Sequence, residues 1–255
     1  MGTIGAIALN TFREAIRNRI LLGIIVLAFV LVLASILFGQ LSVENDARVI
    51  RDLGTSFISL VMVVVAIFSG VSLLHLEIQR KTIYTIVTKP VSRWSFIVGK
   101  YLGLLLTLLT VEALVSAVLL GVILIRGDDF GVVLFQALAL NFCEGAIIAA
   151  VATLFSSFST PFLSGLFTFG VFVLGRLREE LYEYARAIKV DLLPDVVRAF
   201  GVIVPDLSMM RADLQVAYLT PLNWSYVAYS SVYAMAYAAV VIALAGAIFA
   251  RRDFV

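Results

Sequence analysis

Long apolar runs separated by short polar stretches dominate the sequence. A helix needs about 20 apolar residues to cross the hydrocarbon core of a bilayer, and the runs at 20–39 and 55–76 meet that length without one charged residue. The 44 residues of Gly131–Leu174 hold a single charge, which is too long for one span and enough for two. The pattern therefore predicts six spans, at 20–39, 55–76, 98–125, 131–155, 161–177 and 226–250.

The boundary between the fourth and fifth spans is set by a polar interruption at Ser156–Pro161. A hydroxyl residue there can cap a new helix, and proline is well suited to the first helical position because its missing N–H has no partner at that point. We therefore expect the fifth span to begin at Pro161.

The amino-acid composition agrees with a membrane protein and argues against a soluble domain, a nucleic-acid binder and a disulfide-stabilised domain. The chain is 62% hydrophobic and 14% charged, whereas soluble domains are about 45–50% apolar and about 25% charged. A net charge of +2 without a basic stripe excludes a nucleic-acid binder, and the single cysteine, Cys143, excludes an internal disulfide. The sequence predicts an all-α integral membrane protein with no nucleic-acid partner.

Lysine and arginine near the ends of spans indicate orientation, because short cytoplasmic loops carry the excess. Positive charges collect in the N-terminal segment, the 77–97 loop and the C-terminus, at Arg13, Arg17, Arg19, Arg80, Lys81, Lys89, Arg93, Arg251 and Arg252. Acidic residues offset the basic ones in the other short loops. Both termini and the 77–97 loop are expected to be cytoplasmic, and 178–225 external.

Two segments outside the spans are amphipathic. Residues 1–19 place Ile4, Phe12 and Ile16 on one helical face with charged residues opposite, which is typical of a helix lying in the membrane interface. The 178–225 segment predicts external helices that re-enter or cover the bundle between spans five and six, and it is a candidate surface for an accessory protein.

The cytoplasmic loop 77–97 is too long for a turn and too apolar for a free loop. Its short apolar face around Ile83 and Tyr84 ends at Pro90 and is ringed by basic residues. Such a face either docks on a partner protein or lies on the lipid headgroups, and the pattern leaves both open.

Two carboxyl groups lie deep in predicted spans. Glu112 and Glu144 each stand 16 residues from the turn near Asp128, so both lie about 24 Å along their helices from it. One interpretation is a polar site on a pathway or dimer seam, with a shared proton if the two face each other. The other is that each is hydrogen-bonded to a neighbour as a structural contact.

Tyrosines at 226, 229, 233 and 237 form one stripe on the last span. Tyr226 and Tyr229 suit an aromatic belt at the membrane surface. Tyr237 lies about 16 Å deeper than Tyr226 and needs a partner for its hydroxyl, so Tyr233 and Tyr237 join the candidate intramembrane polar residues. The only histidine, His75, stands at a membrane edge, and one histidine with one cysteine predicts no zinc or copper site.

Four motifs in order resemble the ABC-2-type (type V) permeases of ABC transporters. Thr11–Arg19 (TFREAIRNR) resembles their first helix, and the loop from Glu77 to Lys100 resembles their coupling region. Phe155–Pro161 (FSSFSTP) resembles their break between spans four and five, and Ile248–Phe254 (IFARRDF) resembles their C-terminus. Among these permeases, the chain most resembles the subgroup for nitrous-oxide-reductase maturation and gliding motility.

The resemblance implies a permease that exports a substrate across the cytoplasmic (inner) membrane of a bacterium or archaeon. It implies two copies of a separate ABC ATPase, which holds ATP and Mg²⁺, and a second permease, either the same chain or a sister chain. It assigns ATPase coupling to Glu77, Arg80, Lys81, Thr82, Ile83, Tyr84, Lys89, Pro90 and Arg93. The sequence itself contains no phosphate-binding Gly-x-x-x-x-Gly-Lys-Ser/Thr, since Trp94 stands where Gly99-Lys100 would need a glycine.

Two other classes compete with a permease subunit. A proton-coupled secondary transporter or channel could use Glu112 and Glu144, but the six spans lack inverted repeats. An intramembrane enzyme is disfavoured because Glu179-Glu180 lacks the arginine that a glutamate-pair protease needs, with Tyr184 in its place. We therefore expect no catalytic residue in this chain.

Overall fold

A computed structural model of the chain describes residues 2–42, 45–79, 92–187, 201 and 204–251, with only the backbone described at 73–79 and 185–187. These ranges are helical and contain no strand. The helices are α1 Thr3–Ile16, α2 Arg19–Gln40, α3 Asp46–Gln79, α4 Arg93–Arg126, α5 Gly131–Ser156, α6 Pro161–Arg176, α7 Arg178–Ala187, a 3₁₀ turn Ser208–Met210, α8 Asp213–Tyr218 and α9 Trp224–Arg251.

Five of the described helices are long and apolar enough to cross a membrane, namely α2, α3, α4, α5 and α9. The helix α6 is apolar but has only 16 residues. At 1.5 Å per residue it is about 24 Å long, which is less than the roughly 30 Å of a typical hydrocarbon core. The all-helical membrane fold predicted from the sequence is confirmed at this level.

The helices extend beyond the apolar runs that revealed them. The second run starts at Thr55, but α3 already begins at Asp46. The helix α4 begins at Arg93, where the Ser92 hydroxyl accepts a hydrogen bond from the amide of Ser95 at 3.1 Å. It ends at Arg126, and the following Gly127 has a left-handed φ of 74°, which glycine adopts without strain. Hydropathy identifies only the part of a helix that lies in an apolar environment. Backbone hydrogen bonding continues the helix into the polar residues on either side.

The interruption between the fourth and fifth runs lies where the sequence predicts it. The helix α5 ends at Ser156 and α6 begins with Pro161 in its first turn. Thr160 occupies the capping position, but its hydroxyl makes no capping hydrogen bond. Proline therefore defines this helix start without the side-chain cap.

The helix α5 is the centre of the bundle and packs against α3, α4, α6 and α9. Its large side chains Leu134, Leu140 and Ile147 are fully buried. Small residues allow backbones to approach: a Cβ built on Gly70 of α3 would lie 2.6 Å from the Cβ of Ala152. Small residues at such contacts are typical of helices that pack within a membrane.

The helix α1 lies along the first turns of α4. A Cβ on Gly103 would lie 2.5 Å from the Cβ of Thr11 and 2.6 Å from the carbonyl oxygen of Ala8, so the contact requires glycine. Ala8, Thr11 and Ala15 are buried, while Ile4 and Ile16 stay exposed. The apolar face of α1 is therefore divided between a helix contact and an uncovered edge.

The described part of the segment between α7 and α9 folds back onto the bundle. Leu207, Met210 and Val216 are buried. The amide of Leu207 donates to the carbonyl of Gly175 at 3.2 Å, and α8 packs against α3. These contacts close the end of the bundle that holds Arg126, which we call the Arg126 end; the opposite end is the Arg93 end.

Candidate functional site

The first cluster surrounds Glu144 in the middle of α5. Its Oε2 atom accepts a hydrogen bond from the Ser59 hydroxyl at 2.9 Å, and its Oε1 atom accepts one from Arg176 Nη1 at 3.3 Å. Arg176 Nη1 also donates to Ser59 Oγ at 3.0 Å. The side chain of Glu144 is only 2% exposed. The three residues therefore form a closed triangle that joins α3, α5 and α6.

Arg176 extends this triangle toward the Arg126 end. Its Nη2 atom lies 3.8 Å from Asp213 Oδ2, and the same carboxyl accepts a hydrogen bond from Arg211 Nε at 3.3 Å. Arg211 Nη1 then pairs with Glu180 Oε1 at 3.0 Å. Charges of alternating sign thus run from the buried Glu144 to the exposed Glu180. We call this set the ion chain: Glu144, Arg176, Asp213, Arg211 and Glu180.

The short length of α6 explains how a charged arginine reaches Glu144. Both α5 and α6 meet at the 156–161 break, and Arg176 lies 15 residues beyond it while Glu144 lies 12 residues before it. At 1.5 Å per residue these positions differ in height by only about 5 Å. The guanidinium therefore enters the bundle from the end of a short helix rather than from the middle of a span.

Glu112 occupies a different environment. It lines a groove between α4, α5 and α9 whose volume is about 1040 Å³. The residue is 6% exposed, and its Oε1 atom has no hydrogen-bond partner among the described residues. Glu112 is therefore a buried carboxyl that faces an open apolar space.

The two intramembrane carboxyls thus face different sides of the bundle. Glu112 faces the groove, which Cys143 also lines, whereas the neighbouring Glu144 points to Ser59 and Arg176. The contacts of Glu144 agree with the second interpretation from the sequence, a hydrogen-bonded structural contact. They also include a cation, Arg176, which the sequence did not indicate. Ser59 and Arg176 were not among the predicted site residues. The sequence did offer one signal for this cluster, because Arg176 is a charged residue inside the predicted span 161–177.

Tyrosines of α9 hold the segment that closes the Arg126 end. The Tyr226 hydroxyl donates to the carbonyl of Met209 at 2.8 Å, and the Tyr233 hydroxyl accepts from the amide of Asp206 at 2.9 Å. The ring of Tyr237 lies 6.2 Å from that of Tyr233. Tyr233, one of the predicted intramembrane polar residues, therefore holds the 204–210 segment against α9.

Further polar contacts in the same region were not anticipated from the sequence. Gln136 on α5 forms two hydrogen bonds with the backbone of Leu222, each 2.9 Å long. Arg51 on α3 donates to the carbonyl of Asp129 at 3.0 Å and to that of Ala217 at 3.4 Å. These side chains form hydrogen bonds with backbone groups that lie outside the long helices. A periodic hydrophobic pattern does not reveal this role.

At the Arg93 end, the start of α4 contacts the end of α9. Arg93 Nη1 donates to the carbonyls of Phe249 and Ala250 at 3.3 and 3.2 Å. The Phe96 and Phe249 rings stack with centroids 5.8 Å apart. Of the other predicted coupling residues, Glu77 is described only as part of the α3 backbone, and Arg80, Lys81, Thr82, Ile83, Tyr84, Lys89 and Pro90 lie outside the described residues.

The fold and these clusters define a multi-pass helical membrane protein with polar contacts inside its bundle. Among the described residues, no group of three histidine, cysteine, aspartate or glutamate side chains is placed to hold a metal. The family model of the ABC-2 family transporter proteins matches residues 5–254. The chain therefore belongs to the ABC-2 transporter family, as the resemblance suggested. The comparison with curated proteins returns no significant match.

Proposed function

We propose that this chain is the membrane permease subunit of an ABC transporter, and that a separate ATPase drives it to export a substrate. The observation that carries the proposal is the family match over residues 5–254, together with the absence of a phosphate-binding loop from the sequence. ATP and Mg²⁺ would be held by the partner ATPase. The permease would supply the pathway and the surface that senses ATPase closure.

The contacts at the Arg93 end support a role for this end in coupling. The helix α4 begins at Arg93, within the last residues of the predicted coupling loop 77–97. It contacts α1 through Gly99 and Gly103 and the end of α9 through Arg93. A displacement of the loop would therefore move α4 together with both terminal helices. This arrangement suits transmission of movement from a partner bound at the loop residues Glu77, Arg80–Tyr84 and Lys89–Arg93.

The membrane topology that we propose has six spans, with α6 as a short fifth. The short α6 would end inside the bilayer, where the segment folded over the Arg126 end covers it. The positive charges predict that the Arg93 end and both termini are cytoplasmic and that 178–225 is external. The protein would then be a multi-pass component of a bacterial or archaeal inner membrane.

The assembly that we propose contains two permease chains and two ATPase chains. The second permease is a copy of this chain or a sister chain, and 178–225 is a candidate contact for an external accessory protein. The nitrous-oxide-reductase maturation and gliding-motility subgroup stays a prediction from the motifs. Exposed apolar side chains on α6, including Phe162 and Phe169, offer surface for lipid or for a second permease.

The intramembrane residues take two separate roles in this proposal. Glu144 and Arg176 tie the short α6 to α5, and the rest of the ion chain links them to the segment covering the Arg126 end. A change in the position of α6 would then alter that segment. Glu112 would contribute a polar group to a pathway or binding surface on the other side of α5.

Purification with native partners in mild detergent, followed by mass spectrometry, tests the proposal. We expect a co-purifying polypeptide that carries a Gly-x-x-x-x-Gly-Lys-Ser/Thr loop. A complex without any such ATPase, combined with transport driven by a proton gradient alone, would favour the secondary transporter and overturn the proposal.

A further inference from the structure

The groove that Glu112 lines has the properties of a ligand site within the membrane. Its walls come from three helices, and apolar side chains such as Leu105, Leu109 and Phe142 form most of its lining. Ligand sites are typically concave and mostly apolar, with volumes of about 300–1000 Å³ and a few polar groups that fix orientation. At about 1040 Å³, the groove suits a ligand the size of a drug or a single-chain lipid.

Two polar groups one helical turn apart lack partners within this groove. Glu112 and Ser116 both line it, and each is only 6% exposed. The Oε1 atom of Glu112 and the hydroxyl of Ser116 have no hydrogen-bond partner among the described residues. Residues four apart share one face of a helix, so the carboxyl and the hydroxyl offer adjacent contacts to a single group.

Three further polar side chains of the groove, those of Tyr101, Cys143 and Ser231, have partners already. The Tyr101 hydroxyl donates to the carbonyl of Ala146 at 3.0 Å. The Cys143 thiol contacts Ser231 Oγ at 3.7 Å, and the Ser231 hydroxyl donates to the carbonyl of Val227 at 2.8 Å. Among the buried polar groups of this surface, the unfilled hydrogen-bonding capacity is therefore at Glu112 and Ser116.

An unpaired carboxyl at this depth has a chemical consequence. Burying a polar group without a partner destabilises the fold, and ionisable groups within membranes are typically functional. A ligand that donates a hydrogen bond removes this cost, and an ammonium group adds charge attraction.

We propose that this groove binds a membrane-soluble amphiphile whose amine or hydroxyl group donates a hydrogen bond to Glu112, with Ser116 as a second contact. The apolar body of the ligand would lie along α4, α5 and α9, and it would reach the groove sideways from the lipid. This inference goes beyond the proposed function, because it holds whether the ligand is transported or regulates the complex. It also does not depend on any ATPase being bound.

Photolabelling of the complex with its native partners in phosphatidylcholine nanodiscs tests the proposal. The probe is octadecylamine with a benzophenone on its chain, and octadecylamine, octadecanol and octadecyl methyl ether serve as competitors. We expect labelled peptides from the groove, with strong competition from the amine and alcohol. The ether should compete about tenfold more weakly, because it has no hydrogen-bond donor to offer the Glu112 carboxyl.

Variants separate recognition by Glu112 from general affinity for lipid. Glu112→Leu should lower groove labelling by about tenfold, and Glu112→Gln should remove the preference for amine over alcohol while keeping the shape of the side chain. Ala239→Phe places a ring in the groove and should also lower labelling. Val240→Phe is the matched control, since Val240 is exposed one residue away and does not line the groove.

The results that would overturn the proposal are equally specific. Groove labelling unchanged by Glu112→Leu, or an ether that competes as well as the amine, would show that no donor is recognised. A polypeptide cross-linked within the groove would show that a protein partner occupies it. If Glu112→Leu does not fold, an unchanged amine preference in Glu112→Gln would contradict the proposal by itself.

Discussion

Arg176 donates a hydrogen bond to Glu144 across 3.3 Å, which joins the end of α6 to the middle of α5. The Glu144 side chain is 2% exposed and that of Arg176 is 21% exposed. Loss of one partner from a buried charge pair leaves the other charge uncompensated, which destabilises a fold more than loss of both. The pair is therefore a buried electrostatic contact that helps to fix the position of the short helix α6.

We predict that Glu144→Gln and Arg176→Met each lower the free energy of unfolding by about 1–3 kcal/mol, because each leaves a buried polar group without its partner. The double variant should lose less than the sum of the two, with a coupling energy of about 0.5–3 kcal/mol. Unfolding of purified protein in mixed detergent micelles measures all three. Glu183→Gln, at an exposed acid on α7, should change stability by less than about 0.5 kcal/mol. Strict additivity of the two single effects would contradict the pairing.

Gly103→Ala should separate α1 from α4. The added Cβ would lie 2.5 Å from the Cβ of Thr11 and 2.6 Å from the Ala8 carbonyl, and backbone cannot yield as a flexible side chain can. We expect faster tryptic cleavage at Arg13 in nanodiscs. Gly121→Ala is the matched control on the same helix, since its Cβ would meet nothing within 4 Å. Equal cleavage rates in the two variants would contradict the contact.

Tyr233→Phe should loosen the segment that closes the Arg126 end. The variant removes the hydroxyl that accepts the amide hydrogen of Asp206, and a typical hydrogen bond contributes about 1 kcal/mol. Hydrogen–deuterium exchange at the amide of Asp206 should therefore accelerate by roughly fivefold. Tyr229→Phe, at a tyrosine that is 64% exposed on the same helix, is the control. An exchange rate unaffected by Tyr233→Phe would mean that this bond does not hold the segment.

The predictable part of this fold is the part governed by the bilayer. Apolar runs located the long helices because a helix that crosses the bilayer needs about 20 apolar residues and satisfies its backbone hydrogen bonds internally. The start of α6 at Pro161 was also predictable, because proline restricts where a helix can begin. Helix ends in polar flanks, such as Asp46 in α3, were not, since hydropathy carries no information there.

The candidate site was predictable only in part, because helix rotation determines what a buried side chain meets. The depths of Glu112 and Glu144 follow from counting residues, but their facing different sides of the bundle does not. By sequence Arg176 lies at the end of the predicted span 161–177. Its contact with Glu144 depends on the short length of α6, which brings the two residues to within about 5 Å in height. Ser59 and Gln136 carry no charge and interrupt no pattern, so no signal in one sequence marks them.

Coupling to a separate ATPase is the central claim, and ATP hydrolysis by the complex purified in nanodiscs tests it most directly. The measurement compares the wild-type chain with the loop variant Arg80→Glu/Lys81→Glu and with Glu183→Lys, a charge reversal at an exposed position of α7. We expect Mg²⁺-dependent hydrolysis by the wild type and by Glu183→Lys, and loss of the bound ATPase from the loop variant. A wild-type complex that binds and hydrolyses no ATP, or a loop variant that retains full ATPase binding and hydrolysis, would contradict the account.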